Sequence, residues 1–147
     1  MTDGLDKWAL FDHPPAPTYH KGNFCLIGDA AHATTPHSGS GAGFAVEDAH
    51  LLSGLLTPEL IKSSSDIKYA FQAYDEVRRP RSQRLVTNSR QNGRTLELQD
   101  DDDGILDPKD IEARMTENME QIWEIDLSAM LRQAKNLMRN YEHEEQA

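Results

Sequence analysis

The 147-residue chain has a single cysteine, 7% aromatic residues and a deficit of positive charge. It also has no run approaching the ~20 consecutive apolar residues of a membrane-spanning helix. Cys25 alone can form neither an internal disulfide nor a thiolate zinc site, which fits a reducing compartment and leads us to expect a cytoplasmic protein. Lys+Arg total 15 against Asp+Glu 25, a formal charge of -10. That is the wrong sign for neutralising phosphates or an anionic bilayer, so neither nucleic acid nor membrane is expected as a partner. The first residues, MTDGLDK, are acidic and polar, unlike a signal peptide. The length allows one modest domain, and the mean hydropathy of -0.69 leaves little apolar surface, much of it in amphipathic stretches that need something to pack against.

Along the chain, Trp8 to Tyr19 carries Pro14, Pro15 and Pro17, which fix φ and remove amide donors, so an extended connector is expected. The turn-like Lys21-Gly22-Asn23 precedes the apolar run Phe24-Cys25-Leu26-Ile27, which reads as a buried strand closed by Gly28-Asp29. Phe44, Ala45, Ala49, Leu51, Leu52, Leu55 and Leu56 suit one broad buried helix face ending before Pro58. Ser63 to Asp66 is loop and N-cap material, followed by Ile67, Ala70, Phe71, Tyr74 and Val77 at helical spacing; Pro80 is expected to interrupt that register. A mostly polar helix then carries Arg81, Arg84, Arg90 and Arg94 towards Leu98, and the acidic run at 100–103 reads as solvated loop.

Asp107-Pro108 is a helix start, with Asp107 as cap and proline where its missing amide costs nothing. Ile111, Met115, Met119, Ile122 and Trp123 share a face that reads as core or interface. A last helix from about Asp126 shows the stripe Leu127, Met130, Leu131, Ala134, Leu137, Met138 and Tyr141 before an acidic tail. The result is one strand and about four helices. A lone strand leaves its backbone groups unpaired, so its partners are expected either in Trp8–Phe11 or, preferably, in chain outside this sequence.

The segment Gly28-Asp29-Ala30-Ala31-His32, followed by Pro36, the alternating Gly39, Gly41 and Gly43, and the helical pair Glu47-Asp48, resembles the second FAD-binding motif of flavoprotein aromatic hydroxylases, of the salicylate hydroxylase-like kind. Order, spacing and residue types all match. The resemblance extends over roughly residues 8 to 98, with YDEVRRPRSQRLVTNSR resembling the family's Arg-Arg-Pro-Arg helix, and more loosely over Asp107 to Tyr141. It implies a mostly helical α/β fragment, the C-terminal portion of an FAD-binding monooxygenase fold. Its implied divisions are 1–98 for the FAD-binding portion, 99–106 for an acidic linker and 107–147 for a helical segment.

The resemblance assigns cofactor-binding roles to Gly28, Asp29, Pro36, Gly39, Gly41, Ala42 and Gly43. A carboxylate at a strand's C-terminal end can accept hydrogen bonds from sugar-alcohol hydroxyls, which suits Asp29 for the ribityl chain of FAD. Ala42 and Gly43 match positions whose amides meet the flavin's pyrimidine edge, with the helix dipole behind them favouring negative charge there. Pro36 matches a proline beside the ring. Family members reduce FAD with NADH or NADPH, form a C4a-hydroperoxide with O₂ and hydroxylate a small aromatic substrate, so no side chain here need be a nucleophile.

Two features of the family are missing. There is no Gly-x-Gly-x-x-Gly fingerprint for the ADP half of FAD, because Gly39-Ser40-Gly41-Ala42-Gly43 has the wrong spacing, and there is no substrate-domain sheet. The chain is therefore expected to lack the N-terminal Rossmann-type half and to be inactive alone. Ser38 stands where related members often carry Gln. The alternative reading is a non-catalytic, truncated relative acting as a helical interaction module. His32, His37 and His50 with Asp29 lack a metal-ligand spacing, and a hydrolase built on Asp29 and His32 lacks a nucleophile elbow. Asp48 is expected to tie its helix to the fold, His32 to be packed or hydrogen-bonded beside the loop, and Arg78, Arg79 and Arg81 to make salt bridges rather than grip a phosphate.

Overall fold

The structure, a computed structural model, describes residues 8–99 and 107–146; the polar start and the acidic run at 100–103 lie outside them. Two short strands, β1 (His20–Lys21) and β2 (Phe24–Cys25), pair antiparallel with His20 opposite Cys25 and Lys21 opposite Phe24. Then come α1 (Asp29–His32), a 3₁₀ turn (Pro36–Ser38), α2 (Gly41–Leu55), α3 (Asp66–Leu96), α4 (Pro108–Trp123) and α5 (Leu127–Gln146).

One strand partner lies within the chain, at a place other than the expected Trp8–Phe11. It is His20–Lys21, because Gly22 takes a φ of 57° and closes a two-residue turn with Asn23. The strand is buried on one side only: Cys25 packs partly buried against the core, whereas Phe24 is 83% exposed and Leu26 and Ile27 are exposed. Tyr19 is the buried residue of this region, its hydroxyl sharing a 2.8 Å hydrogen bond with Ser82. Asp75 accepts from the Tyr19 amide at 3.1 Å and from Thr18 Oγ1 at 2.9 Å, so α3 anchors the proline-bearing approach.

The second correction concerns Pro80, which does not end its helix: α3 runs unbroken through it for 31 residues. An interior proline costs ~3 kcal/mol through its lost hydrogen bond and ring clash. Here both Pro80 and Glu76, whose carbonyl lost its donor, are exposed residues. Packing holds both halves, since Ala70, Ala73 and Tyr74 are buried before the proline and Leu85 and Val86 after it.

The main core joins Leu51 and Leu55 of α2, Ala70, Ala73 and Tyr74 of α3, and Met130, Ala134 and Met138 of α5. Each fully buried large apolar side chain contributes roughly 1.5–3 kcal/mol. The α5 stripe lies as its spacing predicts, and the helix continues through the acidic tail to Gln146. On α2, by contrast, Ala49 and Leu56 are exposed and the charged Asp48 is buried. Phe44, Leu85 and Ile122 form a second cluster under α4. The Asp107 side chain accepts from the Lys109 amide at 3.0 Å, and Asp126 caps the start of α5 by accepting from the Ala129 amide at 2.8 Å. Among the described residues, no helix is long and apolar enough to cross a membrane.

Candidate flavin site

Beneath the glycine turn lies a buried ionic network. Asp48, on α2, is fully excluded from solvent and uses both carboxylate oxygens. Oδ2 accepts from the Gly28 amide at 2.9 Å and from His32 Nε2 at 2.7 Å, while Oδ1 accepts from Arg78 Nε at 2.8 Å. Burial alone would raise the Asp48 carboxyl, but the hydrogen bonds from His32 and Gly28 and the Arg78 guanidinium outweigh it and hold it below the usual carboxylate value. An ionised Asp48 only accepts, so His32 carries its proton on Nε2, and the buried Nδ1 is left without a hydrogen-bond partner.

The network extends to Glu47, which accepts from Arg78 at 2.6 Å and in bidentate fashion from Arg81 at 2.9 Å on each oxygen. Arg81 also donates to the backbone carbonyls of Gln121 and Ile122 at 2.8 and 2.9 Å, capping the C-terminal end of α4. Arg79 instead pairs with Asp75 on its own helix at 2.8 Å.

This network sets the backbone above it. Gly28 has φ 54° and ψ -140°, a conformation open to glycine but strained for other residues. The short α1 begins at Asp29, whose side chain is exposed. Sequence reasoning placed Asp29 at a strand end and did not expect this helical turn.

On the far side of the loop, Pro36 opens the 3₁₀ turn and Gly39 closes it with φ 61°. Ser89 holds that turn from α3, its Oγ donating to the Thr35 carbonyl at 2.6 Å and accepting from the Ser38 amide at 3.2 Å. Asn92 Nδ2 donates to Ser38 Oγ at 3.1 Å, and Asn118 Nδ2 to Asn92 Oδ1 at 2.7 Å, which carries the support through to α4.

The first turn of α2 has no side-chain cap. Ser40 stands at the cap position, but its hydroxyl donates to the Ser38 carbonyl at 2.8 Å, and the first helical bond runs from the Phe44 amide to the Ser40 carbonyl. The amides of Gly41, Ala42 and Gly43 therefore have no acceptor within the helix. Ala42 and Gly43 are exposed, and a Cβ added at Gly39 or Gly43 would meet nothing within 4 Å. Open donors at the positive end of a 15-residue helix, with space above them, suit the acceptor-rich edge of a planar ring.

The predicted site residues thus fall in three adjoining pieces: Gly28-Asp29, the turn Pro36–Gly39, and Gly41–Gly43. Gly28 backs onto Ala45 of α2, and Gly41 onto Thr34. His32 is buried in the network, whereas His37 bonds Thr35 and His50 is exposed on α2. Among the described residues no group of three or more His, Cys, Asp or Glu side chains could hold a metal. The supporting Ser89, Asn92 and Asn118 carried no sequence signal, because their partners lie 26 to 54 residues away.

The FAD binding domain family matches residues 10–89. The FAD-dependent monooxygenase orf3 of Aspergillus niger is 40% identical over 146 residues, covering 90% of this chain and 32% of that protein. The 6-methylsalicylate 1-monooxygenase atA of Aspergillus terreus is 42% identical over 132 residues, covering 88% of this chain and 28% of its own length. A solved salicylate hydroxylase substrate complex superposes with a TM-score of 0.79 at 41% identity, over 86% of this chain and 30% of that one. The chain spans about a third of the length of these relatives. With more than half of its residues inside the family match and the uncapped glycine turn in place, the chain belongs to the FAD binding domain family, in the portion shared with FAD-dependent monooxygenases of the salicylate hydroxylase type.

Proposed function

We propose that this chain supplies the ribityl and ring-side half of the flavin site in an FAD-dependent monooxygenase that uses NADH or NADPH and O₂ to hydroxylate a small aromatic substrate. The observation that carries the reading is the uncapped turn Gly41–Gly43 together with the exposed Asp29, whose loop Asp48 braces through the Gly28 amide. Asp29 accepts hydrogen bonds from ribityl hydroxyls. The amides of Ala42 and Gly43 donate to the pyrimidine edge, and the dipole of α2 favours negative charge at that edge. Pro36 stiffens the turn next to the ring, and Gly39 and Gly41 keep side chains out of its way. When bound, FAD supplies the redox chemistry, taking two electrons from the nicotinamide and passing one oxygen atom of O₂ to the substrate while the other leaves as water. None of this chain's side chains acts as a nucleophile.

The ADP half of FAD requires a glycine fingerprint that this sequence does not contain, so the reading calls for a further Rossmann-type unit. The same reading assigns residues 1–98 to the FAD-binding portion, 99–106 to a linker and 107–147 to a helical segment. The exposed Phe24, Leu26 and Ile27 support it as apolar side chains that further strands would cover.

The test compares Asp29→Ala with His37→Ala in the complete protein. A charge-assisted hydrogen bond is worth about 1.5–3 kcal/mol, so Asp29→Ala should weaken FAD binding by roughly ten- to a hundredfold, well beyond the effect of His37→Ala. Equal flavin occupancy in the two variants would refute the ribityl role, and absence of flavin from the wild-type protein would favour a helical interaction module.

A further inference from the structure

Trp123 ends α4 with its indole 71% exposed, an unusual place for the largest apolar side chain on the helix face that the sequence reads as core. It borders an open hollow of about 380 Å³ whose other walls include Gly39, Ser40, Gly43, Phe44 and Ile122. The glycine turn, through Gly39, Ser40 and Gly43, and the Trp123 indole are both among the walls of this hollow. The only charged group among its walls is Glu47, whose carboxylate is neutralised by Arg78 and Arg81.

The placement is fixed by Arg81. Its guanidinium grips Glu47 of α2, lies 4.5 Å above the Phe44 ring, and donates to the carbonyls of Gln121 and Ile122 immediately before Trp123. The end of α4 is thereby referenced to the same helix whose first turn offers the free amides. A planar heteroaromatic ring with an acceptor-bearing edge suits a hollow whose walls include both an indole and the turn that leaves amides without helical acceptors.

We propose that Trp123 is the aromatic wall of the flavin site and contacts the ring whose edge the Ala42 and Gly43 amides hold. The proposal rests on the flavin reading above. It makes Trp123 a cofactor-contacting residue contributed by the C-terminal helical segment, and Arg81 the residue that positions it.

The test uses the flavin-loaded complete protein with Trp123→Phe, Trp123→Leu and, as control, Trp8→Phe, the other tryptophan, which does not border the hollow. An indole touching the ring quenches flavin emission by electron transfer on contact. Both Trp123 variants should lengthen the flavin fluorescence lifetime, and Trp123→Leu should raise the Kd for FAD roughly two- to tenfold, while Trp8→Phe matches wild type. Because Trp123 is exposed, each variant should keep its far-ultraviolet circular dichroism and melting temperature. Flavin bound in full with unchanged lifetime and affinity in the Trp123 variants would overturn the aromatic wall and leave the flavin reading intact. Failure of the wild-type protein to take up flavin would overturn both.

Discussion

Asp48 Oδ1 and Arg78 Nε lie 2.8 Å apart with both side chains wholly shielded from water. Taking two charges out of water is expensive, and it is repaid here only because every oxygen of the carboxylate is used and the Arg78 NH groups also reach Glu47 and the Phe44 carbonyl. The pair joins α2 to α3, and through the Gly28 amide it reaches the loop that carries Asp29.

Asp48→Ala should therefore destabilise the fold by about 3–5 kcal/mol, because it leaves Arg78 partly unpaired and strips the Gly28 amide and His32 of their acceptor. Guanidinium denaturation checks this. A loss below about 1 kcal/mol would mean that the network contributes little beyond what a surface pair provides.

Acid should weaken the same link. Folded Asp48 binds its proton less readily than the unfolded chain does, so its contribution is fully present above the ordinary carboxylate value of 3.8 and is lost as pH falls through the lower folded value. Urea titrations from neutral pH down to that range should show stability falling with pH. The fall should be shallower in Asp48→Asn, which has no proton to gain at this position.

Gly93→Ala should disturb the turn that carries Pro36. A Cβ there would stand 2.8 Å from both Cε1 and Nδ1 of His37, whose ring is held by Thr35 at 3.0 Å. Overpacking of this kind costs about 1–3 kcal/mol. The double variant Gly93→Ala/His37→Ala should recover most of the loss, and thermal melts of the two together decide whether the clash is the cause.

Arg81→Ala should loosen the end of α4. The substitution removes four hydrogen bonds, two to Glu47 and two to the Gln121 and Ile122 carbonyls. Hydrogen bonds to charged groups are worth about 1.5–3 kcal/mol each but do not add, so a loss of a few kcal/mol confined to the last turn of α4 is expected in hydrogen exchange. Arg81→Lys should recover little, since a point charge cannot span two partners as a planar fork does.

Cys25 should be a sluggish thiol. Burial pushes its pKa up to about 12, with Asp48 and Asp75 adding to the effect. Only a small fraction is thiolate at pH 8, so alkylation by iodoacetamide should run at least about a hundredfold slower than for a small free thiol and keep rising beyond pH 10. A rate that levels off near pH 9 would contradict the assigned environment.

Much of the local structure was legible in the residues. Asp107-Pro108 and Asp126 announce helix starts because capping is a contact of two or three residues, and the α5 stripe shows its buried face because helical periodicity is local. The glycine turn was legible for a similar reason, since Gly39, Gly41 and Gly43 permit a bare backbone wherever they sit. Pro80 was misread because its cost is local and its compensation is not: Tyr74 and Leu85, on either side of it, are held by other helices.

What the residue order determined by itself was the flavin-type motif, the helix boundaries that caps define, the deficit of positive charge, and the readiness of Arg78 and Arg81 to form ion pairs. What only the tertiary structure decided was which acids those arginines meet, that Asp48 carries the Gly28 loop, that β2 pairs with His20–Lys21, and that Trp123 and the glycine turn line one hollow. The division follows from range. Backbone conformation answers to neighbours a few residues away, whereas a buried charge or an exposed indole is placed by elements 30 or more residues apart that meet only when the helices pack.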